Sequence, residues 1–218
     1  MTTFYKISLL LFLLIEVTNL FAQDKFEIET QRNIDSLLKS NVDTVISLSN
    51  SIAYVPQYSE NGDTALLRTM TLLYFSKEKW HGMKFLHVFI GQGATEKILK
   101  SVAVDLGSDS LLKYLKTLIP KISNDQFLSY IYQVESTNSV GYDILTSSHQ
   151  TYCYLSIDAK DYQLNKSFDL EDICERTKFI EAFPKNMNFE YNKHLSLYPF
   201  YLTMVEILNR IDIKFKFR

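Results

Sequence analysis

The chain has 218 residues, 46% of them hydrophobic and 14% aromatic, with 23 basic and 25 acidic side chains for a net charge of −2. That apolar content excludes disorder, and the balanced charge excludes the basic footprint of a nucleic-acid or anionic-membrane binder. Glycine is scarce at six residues, so phosphate-cradling loops and many left-handed turns are not expected.

The first element is a leader. A short start carrying Lys6 precedes an apolar run from Ile7 to Ile15, and Leu20-Phe21-Ala22-Gln23 follows. This is the pattern of a secretory signal peptide, with cleavage expected after Ala22. The run is too short for a spanning helix, which needs about 20 apolar residues; an uncleaved N-terminal anchor is the alternative. The ending Leu-Phe-Ala-Gln resembles the leaders of exported Gram-negative bacterial proteins. An exported chain, periplasmic or secreted, is therefore expected, with residues 23–218 as one globular domain and no membrane span once residues 1–22 are removed.

Residues 27–53 place Ile34, Leu38, Val42, Val45 and Ile52 at helical spacings, which predicts a long amphipathic helix ended before Pro56. For residues 65–90 a helix and a β-hairpin compete. The mixture of threonine, leucine and aromatics in Leu67–Phe75 favours the hairpin, with Lys77-Glu78-Lys79 at its turn and Trp80–Ile90 returning. Trp80–Ile90 is apolar on both faces, as in a sheet covered on both sides. Thr95–Asp105 is predicted helical. A further helix runs through Leu111, Leu112, Leu115 and Leu118 to Pro120, capped by Ser108 or Asp109. Ser123 and Gln126 have the spacing of a capping box, which predicts a helix over 124–134.

Val140–Thr146 and Thr151–Ile157 read as strands of a second hairpin, turned at Ser147-Ser148-His149-Gln150. Asp169 caps a predicted helix over 170–183, and a last helix spans about 199–210. Ile211–Phe217 alternates strictly, as a half-buried strand does. One domain is the simplest reading, with a weak boundary as the alternative near Thr137–Gly141. The fold class expected is α+β: an N-terminal helix, two β-hairpins forming antiparallel sheet, and packed helices. An all-α bundle is the alternative, should residues 65–90 be helical.

The candidate chemistry is sparse. Gly91-Gln92-Gly93 sits between a strand and a predicted helix, but Glu96 stands where a dinucleotide-binding turn needs its third glycine. No cofactor is assigned. His81 and His87 share a strand face yet lie about 20 Å apart at about 3.3 Å per residue, too far to hold one metal. His149 neighbours Ser147 and Ser148, without a readable orienting acid or oxyanion site. His194 falls in a polar loop. Asp169, Glu171, Asp172 and Glu175 are the one dense carboxylate cluster, best read as a helix cap and first turn. No catalytic or metal-binding residue is assigned from these.

Cys153 and Cys174, in an oxidising compartment, are candidates for a disulfide; two separate buried thiols are the alternative. Tyr191, Tyr198, Phe200 and Tyr201 are a candidate binding surface, since aromatic rings are enriched at interfaces, or else they dock the last helix on the core. The function expected is a non-enzymatic exported module that binds an unknown protein or surface polymer, with no nucleic acid. The alternative is an exported hydrolase built from distant residues, with Ser147, His149 and the Asp169–Glu175 cluster as its candidates.

Overall fold

The structure is a computed structural model that describes residues 25–40, 42–52, 64–90, 95–107, 110–136, 139–145, 151–177 and 183–213. Helix α1 (Lys25–Lys39) leads into strand β1 (Thr44–Ile52). The long hairpin β2 (Thr64–Ser76) and β3 (Lys79–Ile90) follows, and then β4 (Thr95–Lys100) and β5 (Val104–Gly107). Helix α2 (Ser110–Leu118) runs into a 3-10 turn at Ile119–Lys121. Strands β6 (Ile131–Ser136), β7 (Ser139–Ile144), β8 (Thr151–Ala159) and β9 (Tyr162–Asp169) come next. A 3-10 turn at Leu170–Ile173, helix α3 (Phe189–His194) and helix α4 (Leu197–Ile213) complete the order.

Seven strands form one antiparallel sheet in the order β4-β3-β2-β1-β8-β9, with β5 pairing the other half of the β3 edge. β6 and β7 make a separate hairpin on which Val140, Tyr142 and Ile144 are exposed. The architecture is therefore α+β with antiparallel sheet, and the sheet excludes the all-α bundle.

Alternation along the strands sends side chains to two different cores. On one face Ile46, Leu48, Leu73, Trp80, Leu155 and Ile157 pack under α2 and α4, which contribute Leu112, Leu115, Leu197, Phe200, Met204 and Ile207. On the other face Val45, Leu72, Met83 and Phe85 pack against Phe26 and Ile34 of α1. Because β1 to β3 are covered on both faces, apolar residues occupy both parities of these strands, as expected for Trp80–Ile90. The β2–β3 hairpin follows the sequence closely. Its turn residues Lys77 and Glu78 have φ of 51° and 64°, the positive pair that a tight two-residue hairpin turn requires.

Several stretches differ from their predicted structure. Residues 44–52 form the central strand β1 and not the second half of a helix, because Val45 serves one core while Ile46 and Leu48 serve the other. Residues 95–107 form β4 and β5 and not a helix; they satisfy the outer edge of β3. The helix predicted over 124–134 is not formed: residues 125–130 have no regular structure and 131–134 belong to β6. Asp125 Oδ2 accepts from the Leu197 amide at 2.8 Å, and the Asn192 side chain bonds both the amide and the carbonyl of Leu128. Tertiary partners thus replace the helical ladder there. The helix predicted over 170–183 is reduced to the 3-10 turn after Asp169, with residues 178–182 outside the description.

The second hairpin is re-paired. β7 bonds β6, whereas β8 lies between β1 and β9 in the main sheet. Ile211–Ile213 continue α4 and are not a strand; residues 214–218 lie outside the description.

Candidate functional site: a groove beside helix α1

The face of the sheet that carries α1 changes character at β1. Strand register arranges its side chains in rows that run across the sheet. One row reads Phe85, Met70, Ser49, Tyr154, Ser167; the next reads Met83, Leu72, Ser47, Ser156, Asn165; a third reads His81, Tyr74, Val45, Asp158, Gln163. Apolar and aromatic side chains dominate the β3 and β2 positions, and hydroxyl, amide and carboxyl groups dominate those of β8 and β9.

Geometry explains the division. A helix about 10 Å across covers only two or three strands spaced about 4.8 Å apart. Helix α1 lies over the apolar strands, where Phe26 and Ile34 are buried. The polar half of the face is left uncovered beside it. A groove of about 670 Å³ results, walled by Glu27, Thr30, Gln31 and Ile34 of α1 and floored by β1, β8 and β9. That volume falls in the range of small-molecule sites, about 300–1,000 Å³.

The floor is partly organised. Ser156 Oγ donates to Asp158 Oδ2 at 2.6 Å, and Gln163 Nε2 donates to Asp158 Oδ1 at 3.0 Å. The carboxylate of Asp158 is thus held in place from two sides. Ser47 and Ser49 sit deep, at 5% and 9% exposure, while Tyr154 at 49% stands at the open side. Lys166 is the basic residue of the lining, but its ammonium donates to the Ser123 and Asp125 carbonyls, at 2.7 and 2.6 Å. Arg68, near the α1 wall, lies 3.4 Å from Glu27 and stacks over Phe26. The acidic residues of the lining are Glu27 and Asp158.

The histidines fall elsewhere. His81 stacks on Tyr74, with ring centroids 5.1 Å apart. His87 stacks on Phe26 at 5.4 Å and lies between Arg68 and Glu96, at 3.5 and 3.7 Å. Burial first, and then the Arg68 cation, pushes the His87 imidazole below its usual value, against the pull of Glu96. Both are strand residues; His87 has polar neighbours in Arg68 and Glu96, and His81 a stacking partner in Tyr74. His194 is exposed at the end of α3 and bonds the Glu190 carbonyl. His149, Ser147, Ser148 and Gly91–Gly93 lie outside the described residues, as does the predicted leader with its expected cleavage site at Ala22.

The carboxylate cluster is a structural cap. Asp169 Oδ1 accepts from the Glu171 amide at 3.0 Å, and Asp172 reciprocates by accepting from the Asp169 amide at 3.3 Å. Asp172 also accepts from the Tyr130 amide at 2.8 Å, and burial pushes its carboxyl up to about 6. Glu175 pairs with Lys185. The one-turn helix is too short to place Glu171 and Glu175 on a common face. Among the described residues no group of three or more histidine, cysteine, aspartate and glutamate side chains could hold a metal ion.

Cys153 and Cys174 are free thiols, and the candidate bridge between them is not formed. Cys153 lies fully buried on the α4 side of β8, and burial pushes its thiol up to about 12. Cys174 instead donates to the Leu170 carbonyl of its own turn, at 3.3 Å. The four aromatics near the C-terminus are dispersed. Phe200 is core, and Tyr198 and Tyr201 pack against the same core, Tyr201 edge-on to Phe168. Tyr191 on α3 is exposed at 53%. None of these four lines the groove.

Sequence reasoning missed the groove and strand β9 altogether. The alternation of Tyr162, Leu164 and Phe168 with Gln163, Asn165 and Ser167 was the available signal for the strand. No helix of the described residues is long and apolar enough to cross a membrane. In comparisons with known proteins, the chain matches no family model, no curated protein and no solved structure.

Proposed function

We propose that the chain is an exported, non-enzymatic binding module of the cell envelope or the extracellular space, and that the groove beside α1 holds its ligand. The leader read from the sequence supports export. The observation that carries the site is the change from apolar to polar side chains along each row of the sheet, at the line where α1 stops covering it. A merely solvated face needs no helical wall and no deep serines; this one has both.

A binding role fits the chemistry better than hydrolysis. Ser156 donates to Asp158, but a serine becomes a nucleophile through a base such as imidazole, and no histidine is among the groove residues. The test uses the tagged full chain recovered from its native cells. Asn165→Trp and Ser167→Trp, both at exposed positions on β9, fill the groove without entering the core. They are expected to release whatever envelope component the unaltered chain retains, while Tyr191→Ala releases nothing. Equal retention by the filled variants places the binding surface elsewhere.

A further inference from the structure

From the groove, and resting on its reading as the ligand site, we infer the class of ligand: a neutral, hydroxyl-rich molecule, an oligosaccharide or a short stretch of polysaccharide. Three observations converge. The first is amphipathic matching. The groove sets the apolar side chains of Ile34 and Met70 on one side of a floor of hydroxyls and amides. A sugar ring has the same division, with C–H faces and a rim of hydroxyls.

The second is the balance of donors and acceptors. The hydroxyls of Ser47, Ser49 and Ser167 and the amide of Asn165 can each donate and accept, as a sugar hydroxyl does. Asp158 adds a fixed acceptor, already oriented by Ser156 and Gln163, with lone pairs left for ligand hydroxyls. Tyr154 offers a half-exposed ring at the open side, and such rings stack on the C–H faces of sugars.

The third is charge. The acidic lining residues are Glu27 and Asp158, while the ammonium of Lys166 is bound to backbone carbonyls of residues 123 and 125. Like charges repel at these separations, so phosphate, sulfate and uronate groups are disfavoured. The volume of about 670 Å³ accommodates more than a single small ring.

The experiment screens the full chain on an array of neutral, anionic and amino sugars together with short peptides, then measures each binder by calorimetry. At least one neutral oligosaccharide, with maltotriose, cellotriose and tri-N-acetylchitotriose as the first probes, is expected to bind. Asp158→Asn and Asn165→Ala should each weaken it about tenfold, and Tyr154→Ala should do so where Tyr154→Phe does not. Circular dichroism verifies that each variant is folded. Failure of every neutral saccharide overturns the inference. So does preferential binding of an anionic polymer, or neutral-sugar binding that the groove variants leave unchanged. A peptide whose binding the same variants abolish would overturn the ligand class while leaving the groove as the site. A ligand of any class that is indifferent to all of them would remove the groove itself.

Discussion

Asn192 is the most informative single position for how the helical layer is assembled. It is fully buried in α3. Its Oδ1 accepts from the Leu128 amide at 2.8 Å, and its Nδ2 donates to the carbonyls of Leu128 and Asp172 at 2.7 and 2.8 Å. One side chain thus ties the irregular segment 125–130, the Leu170–Ile173 turn and α3 together. Asn192→Ala removes all three bonds and takes these partners from the Leu128 amide and carbonyl, while the Asp172 carbonyl keeps the Asn186 side chain at 3.0 Å. At about 1 kcal/mol net per bond the loss is about 3 kcal/mol, a large share of a stability of about 5–15 kcal/mol. For a chain of this length that is about 6–12 °C in Tm. Urea and thermal unfolding can be followed through Trp80, the only tryptophan and a buried one. Asn188→Ala is the comparison: it loses one side-chain bond, to the Ser129 carbonyl at 2.8 Å, and about 1 kcal/mol. If Asn192→Ala costs less than 1 kcal/mol, or no more than Asn188→Ala, the reasoning is wrong.

Three further outcomes are expected. A Cβ at Gly82 would sit 2.5 Å from Ile211 Cδ1 and 3.2 Å from Leu106 Cδ1, so Gly82→Ala should cost about 1–3 kcal/mol by overpacking. In a double-mutant cycle with Ile211→Ala the combined loss should be smaller than the sum, and strict additivity would contradict the contact. Asp172 is raised from 3.8 to about 6 by burial, so the native state binds its proton more tightly than the unfolded chain. Its contribution to stability is then full below pH 3.8 and is lost as pH rises through about 6; Asp172→Asn should flatten Tm against pH over that window, and an unchanged profile would count against the burial argument. Finally, mass spectrometry without reductant should find two free thiols. Iodoacetamide at pH 8 should label the half-buried Cys174 much faster than Cys153, whose thiol is pushed up to about 12; equal rates would refute the placement of Cys153.

The amino-acid sequence by itself determined the local elements whose cause is local. The β2–β3 hairpin, α2 with its stop at Pro120, the Asp169 cap and α4 were all readable from turn chemistry, caps and periodicity. It did not determine β1. A central strand that serves two cores carries apolar residues on both parities, and with Ile34, Leu38 and Val42 just before it this imitates a helical period. Nor did it determine 95–107, whose backbone pairs with the β3 edge, or 125–130, whose backbone bonds the side chains of Asn192 and Asp172. The groove belongs to tertiary structure entirely. Ser47, Tyr154, Ser156, Asp158, Asn165 and Ser167 read along the chain as the wet side of ordinary strands. They become a walled site only because register brings β1, β8 and β9 side by side, and because one helix is too narrow to cover six strands across.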